Sequence, residues 1–154
     1  VRCWWQQRQG APARRRVVDA HERRRLNLPT LLVEDNAAIR SALIPSMKEL
    51  ASVSVLAVAE TAEEGIAAVR EVPGWKLVVI DLFLRAGTGL DVLRHCQQRQ
   101  PGQYAVVLSN YPTPDMRARC KSLGADAFFD KSTELDEFFM YCASLNAREG
   151  FGEP

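Results

Sequence analysis

The sequence predicts an α/β domain built on a five-stranded parallel sheet with five helices. Short apolar runs, too brief to be helices, alternate along the chain with stretches of helical periodicity. A helical stretch between two such runs is the connection that a parallel pair of strands requires. Four of the runs also end in groups that an apolar strand does not need. Leu31-Leu32-Val33 runs into Glu34-Asp35, Leu77–Ile80 into Asp81, Tyr104–Leu108 into Ser109, and Ala127-Phe128-Phe129 into Asp130-Lys131. Parallel strands place their C-terminal ends along one edge, where ligands bind at the topological switch point. Acids, a hydroxyl and a lysine are therefore expected to converge there.

The first strand is Thr30–Val33. A helix follows Asn36, with Ile39, Leu43, Met47 and Leu50 on its inner face. Pro45 removes one backbone donor from that helix and predicts a kink. The second strand is Val53–Val58. Thr61 and Glu64 have the spacing of a capping box and open the second helix, which ends before Pro73-Gly74. After the third strand, Leu77–Ile80, a helix is expected from Gly89 to about Gln98, with Leu90 and Leu93 inward. Thr113-Pro114 caps and starts the fourth helix, and Gly124 ends it. The fifth strand is Ala127–Phe129. Ser132 or Thr133 is expected to cap the last helix, whose stripe of Leu135, Phe138, Phe139, Cys142 and Leu145 reads as core packing.

A chain of 154 residues, 47% of them hydrophobic, supports one domain with a full core. No apolar run approaches the ~20 residues of a membrane span, and none has the layout of a signal peptide. Cys3, Cys96, Cys120 and Cys142 lack metal-ligand spacing and read as reduced thiols of a cytoplasmic protein. The formal charge of +1 conceals an asymmetry. Residues 1–28 hold eight arginines against Asp19 and Glu22, leaving twelve basic against seventeen acidic residues in the remainder. The expected division is a basic arm over 1–28, a domain over 29–146 and a short tail over 147–154. The arm, with Trp4-Trp5 and two arginine triplets, is expected to be poorly ordered apart from a helical turn or two near Val17–Arg25. His21 and His95 are expected to be solvent-exposed.

Three carboxylates at one edge repel one another and raise each other's proton affinity, unless a cation joins them. Hard oxygen ligands in an open, hydrated site favour Mg2+ over zinc or copper. Asp35 and Asp81 would hold such an ion, with Glu34 acting through water. A carboxylate is also a competent phosphoryl acceptor. Lys131 offers a point charge to a phosphoryl oxygen and Ser109 a hydroxyl, so the set supports in-line transfer of phosphate onto Asp81.

Leu31-Leu32-Val33-Glu34-Asp35-Asn36, Val78-Val79-Ile80-Asp81-Leu82, Val107-Leu108-Ser109 and Phe128-Phe129-Asp130-Lys131 resemble the signature segments of bacterial two-component response-regulator receiver domains, chemotaxis-regulator-like. Gly87-Thr88-Gly89-Leu90 and Gly124-Ala125-Asp126-Ala127 extend the match, which covers roughly residues 29–146. The resemblance implies a flavodoxin-like, doubly wound sheet in the order 2-1-3-4-5. It implies that the phosphohistidine of a sensor histidine kinase, or a phosphotransfer protein, donates phosphate to Asp81 with Mg2+. The implied metal ligands are Asp35, Asp81 and the backbone carbonyl of Phe83, with Glu34 through water. Ser109 and Lys131 would contact the phosphoryl group, and Ser109 and Phe128 would act as the switch pair. The signalling face would be helix 4, strand 5 and helix 5, docking a downstream protein or forming a homodimer. No enzyme activity is implied beyond self-catalysed phosphotransfer and autodephosphorylation, and neither membrane nor nucleic acid is an expected partner.

Two positions depart from the family pattern. Ser132 stands where a proline usually follows the lysine, and a trans bond is expected there. Asn110 stands where a small residue usually follows the hydroxyl, which predicts narrower access for the phosphodonor. Phe83 and Tyr111, two residues after the acceptor and the hydroxyl, are bulky and predict a long-lived aspartyl phosphate. The chain reads as a stand-alone regulator. The alternatives are a receiver fragment of a longer regulator with an output domain and a receiver-like adaptor acting without phosphorylation. An aspartyl phosphatase would need a second acid at Phe83, and a dinucleotide site would need glycines where Glu34-Asp35-Asn36 stands.

Overall fold

A computed structural model describes residues 27–150. Five strands alternate with five helices: β1 (Leu28–Val33), α1 (Ala37–Ala51), β2 (Val53–Ala59), α2 (Ala62–Glu71), β3 (Leu77–Ile80), α3 (Gly89–His95), β4 (Tyr104–Ser109), α4 (Pro114–Ser122), β5 (Ala127–Asp130) and α5 (Leu135–Gly150). The sheet is parallel throughout, in the order β2-β1-β3-β4-β5, the flavodoxin-like arrangement expected. The chain winds outward in both directions from β1 and β3, so the loops after these two strands face each other across the switch point.

Two-residue periodicity divides the strand side chains between two cores. Leu31, Val33, Val78, Ile80, Ala105 and Val107 pack under α2, α3 and α4. Leu28, Leu32, Leu77, Val79, Val106 and Leu108 pack under α1 and α5. The central strands are thus apolar on both faces, as a doubly covered parallel sheet requires. Cys96, Cys120 and Cys142 are buried helix-packing thiols. Burial pushes Cys96 up to about 11 and Cys142 up to about 12. Cys3, His21 and the expected helical turns near Val17–Arg25 lie outside the described residues.

Several sequence-based boundaries move. β1 begins at Leu28, inside the expected arm, because Leu28 is buried and its N–H reaches the Ser52 carbonyl at 2.9 Å. α5 runs on to Gly150, past the expected domain end at 146. α3 ends at His95 rather than near Gln98, where a short turn replaces it. On α1, Leu50 is 59% exposed; the core stripe runs Leu43, Met47, Ala51 at intervals of four, and Ala51 takes the inner place. α1 is continuous across Pro45, which sits on its exposed side, where water can reach the unpaired carbonyl one turn earlier.

The caps follow the sequence more closely. Thr113 caps α4 through the Met116 N–H, and Asn36 caps α1 through the Ile39 N–H. Thr61 accepts from the Glu64 N–H at 3.1 Å, while the Glu64 carboxylate returns to the Glu60 N–H, one residue outside the usual box. Neither Ser132 nor Thr133 caps α5. Their hydroxyls bond to Asn110 and Asp130, and Glu134 supplies the first helical carbonyl, to the Phe138 N–H.

Candidate functional site

The strand registers assemble the site. Val33 lies opposite Ile80, so the next residues, Glu34 and Asp81, become neighbours at the C-terminal edge. Ser109 closes β4 and pairs with Asp130 on β5, which delivers Lys131 to the same edge. Glu34, Asp35, Asp81 and Lys131 converge, and Ser109 ends β4 at the same edge, whereas the Asp130 carboxylate turns to Ser132 and Thr133. Glu34, Asp35 and Asp81 each offer an oxygen within 4.8 Å of the others. Lys131 reaches across from β5, its ammonium pairing with Glu34 and lying 3.2 Å from the Asp81 carboxylate.

Glu34 and Asp81 are both buried, and Ser109 is fully so. Burial is the main reason that Asp81 is raised from its usual 3.8 to about 6; Lys131 lowers it, Glu34 raises it, and the Phe83 N–H lowers it. A carboxyl held so far above its usual range favours a cation beside it. Three oxygen-donor groups within 4.8 Å fit a hard divalent ion such as Mg2+, which takes one or two carboxylates and keeps several waters. Asp35 is the more open of the acids.

Local hydrogen bonds fix each element. The other Glu34 oxygen accepts from the Asn36 N–H at 3.1 Å, so the residue turns inward before α1 starts. The Ser109 hydroxyl accepts from the Tyr111 N–H at 3.0 Å. Phe128 is half-buried; the Arg117 guanidinium lies 4.8 Å from its ring centre, and Arg117 also pairs with Glu134. Phe83 and Tyr111 are 57% and 53% exposed, yet their rings meet edge to face at 5.4 Å and bridge the loops after β3 and β4. His95 is exposed as expected, with Nδ1 at 2.9 Å from the Asp91 carbonyl oxygen.

The two departures from the family pattern meet. The Ser132 hydroxyl donates to the Asn110 side-chain oxygen at 3.3 Å, and the Ser132 N–H donates to Asp130 at 2.8 Å. The Lys131–Ser132 bond is trans, as expected. Sequence reasoning missed Asp130 as the organiser of this turn. It also missed Gly89, where a Cβ would meet the Asp81 carbonyl oxygen at 2.1 Å. The Gly87-Thr88-Gly89 segment was visible, but its reason, close backbone approach beneath the acid, was not. Asp126 of the Gly124–Ala127 segment is structural: it accepts from the Ala105 N–H at 2.9 Å and pairs with Arg99 at 2.7 Å.

The family model described as "Response regulator receiver domain" matches residues 30–142. The chain belongs to this family. It is similar to the acid tolerance regulatory protein ActR of Rhizobium meliloti, at 32% identity over 120 residues, 78% of this chain and 59% of that protein. The chain therefore spans about three-fifths of the length of this curated relative. Among solved structures, a LuxR-family DNA-binding response regulator from Staphylococcus aureus aligns with a TM-score of 0.69 and 18% identity, over 77% of this chain and 98% of that one. A response regulator protein from Burkholderia pseudomallei, with a phosphorylated aspartic acid, a calcium ion and citrate, aligns with a TM-score of 0.64 and 19% identity, over 83% of this chain and 76% of that one. These structures share the fold. No helix among the described residues is long and apolar enough to cross a membrane.

Proposed function

We propose that this receiver domain accepts a phosphoryl group on Asp81 from the phosphohistidine of a sensor histidine kinase or phosphotransfer protein. The observation that carries the reading is the buried Lys131 ammonium beside Glu34 and 3.2 Å from Asp81, at the centre of the acid set. An Asp81 oxygen attacks phosphorus in line, the phosphorus–nitrogen bond of the donor breaks, and the imidazole leaves with the bonding electrons. Lys131 shifts its charge to a phosphoryl oxygen, and the Ser109 hydroxyl donates to another. Asp35, Asp81 and the Phe83 carbonyl would hold Mg2+, with Glu34 through water. The ion, when bound, would neutralise the acids and polarise the phosphoryl group. An apolar cleft of about 380 Å3 opens beside Lys131, lined by Ile39, Leu43, Leu108, Leu135 and Phe139, and offers a phosphodonor a surface to rest on.

Movement of Ser109 towards the phosphoryl group would let Phe128 reorient and so change the face formed by α4, β5 and α5. That face would engage a downstream protein or a second copy of the chain, in the cytoplasm. Incubation with acetyl phosphate and Mg2+ is expected to add one phosphoryl group, detected by intact-mass spectrometry and absent in Asp81→Asn. Equal labelling of that variant would remove the assignment.

A further inference from the structure

The loops that would hold the metal are tied together by a bridge outside the acid set. Arg40, in the first turns of α1, donates from Nη1 to the Glu34 backbone carbonyl at 2.8 Å. Its Nη2 pairs at 2.9 Å with Glu60, just past the end of β2. The other Glu60 oxygen lies 3.3 Å from Arg85, in the loop that follows Asp81 and Phe83. Arg40 is only 18% exposed, so solvent screens its contacts weakly; Arg85 is 62% exposed and adds little.

A guanidinium bonded to the turn that carries Glu34 and Asp35 presents a physical conflict. Its charge opposes a divalent cation bound to those acids. Its hydrogen bond to the Glu34 carbonyl, however, fixes the turn from which the Glu34 and Asp35 side chains leave, while Glu60 anchors it to the neighbouring strand end. Arginine suits this task because its planar fork presents separate, rigidly oriented N–H donors to the carbonyl and the carboxylate, whereas a lysine offers a single mobile point charge. We propose that Arg40, held by Glu60, is a positioning residue for the metal site, and that its ordering of the Glu34–Asp35 turn outweighs its electrostatic opposition to the ion. The proposal rests on the magnesium-dependent reading above.

The two effects differ in sign, so titration calorimetry of Mg2+ into the full chain separates them. Positioning predicts that Arg40→Met, Arg40→Lys and Glu60→Gln all weaken Mg2+ binding, by about ten-fold, the lower end of the range for residues that orient metal ligands. Charge alone predicts tighter binding for Arg40→Met, no change for Arg40→Lys and weaker binding for Glu60→Gln. Unchanged affinity with a lowered melting temperature would mean that the bridge only fastens β1 to β2. Either of the last two patterns overturns the proposal. If Arg40→Met does not fold, Arg40→Lys decides the question, because it keeps the charge and loses the fork. Wild-type protein that binds no Mg2+ would refute the metal reading itself, whereas wild-type binding with indifferent variants would refute this inference alone.

Discussion

Replacing Gly89 by alanine tests how closely the fold is built around Asp81. A Cβ at this position would lie 2.1 Å from the Asp81 carbonyl oxygen and 2.8 Å from Ile80 Cγ2. A tolerable carbon–oxygen separation is about 3.3 Å, so α3 and the end of β3 must part by roughly 1 Å. Both sides of the contact are held: the Gly89 N–H donates to the Leu82 carbonyl at 2.9 Å, and the Asp81 N–H to Val33 at 2.9 Å. Overpacking costs about 1–3 kcal/mol. Alanine's helix propensity returns at most about 1 kcal/mol, and less at the first helical residue. A net loss near 2 kcal/mol lowers the melting temperature by roughly 8 °C in a domain of this size. Gly65→Ala is the comparison: its nearest contacts would be the Val92 and Val33 side chains at 2.9 and 3.3 Å, a smaller overlap than 2.1 Å onto backbone, so a smaller loss is expected. Thermal unfolding by circular dichroism reads both, and acetyl phosphate labelling of Gly89→Ala is expected to fall as Asp81 is displaced. A Gly89→Ala protein melting within about 1 °C of wild type would show that this contact relaxes freely and that the reasoning is wrong.

Asp81→Asn is expected to be more stable than wild type in magnesium-free buffer at neutral pH. The folded state holds the Asp81 proton up to about 6, against a usual 3.8, so ionisation weakens folding as pH rises through that window. Melting curves should therefore converge towards about pH 4, and a variant without advantage at neutral pH would contradict this. The touching rings of Phe83 and Tyr111 support restricted approach of water to an aspartyl phosphate, and neither residue offers a carboxylate or amide to orient a nucleophile. Phe83→Asn with Tyr111→Glu is expected to dephosphorylate faster; equal decay rates would end the shielding idea. Removing residues 1–26, which spares the buried Leu28, is expected to leave Mg2+-dependent phosphorylation intact, and a folded truncation that no longer accepts phosphate would show that the arm takes part.

The strands and the site were legible for one physical reason: polar residues at the ends of apolar runs are local facts, and a parallel sheet turns them into neighbours. Glu34, Asp81, Ser109 and Lys131 followed directly. What depended on the angle or length of an element was not legible. Leu50 and Ala51 are adjacent, and only the direction of the α1 stripe decides which is buried. Arg40 and Glu60 carried no signal, because nothing in the sequence brings the start of α1 to the end of β2. Gly89 could be seen as a glycine, but its necessity comes from a carbonyl eight residues earlier that the fold places beneath it.

The turn after Lys131 bears on attempts to restore this chain to its family's consensus. Ser132→Pro looks like a repair, yet proline would delete both the N–H that Asp130 accepts at 2.8 Å and the hydroxyl that reaches Asn110. Asn110 and Asp130 would each lose a partner at the mouth of the pocket. Positions 110 and 132 are therefore coupled through bonds that also involve Asp130, and Ser132→Pro alone is expected to lower the melting temperature rather than raise it.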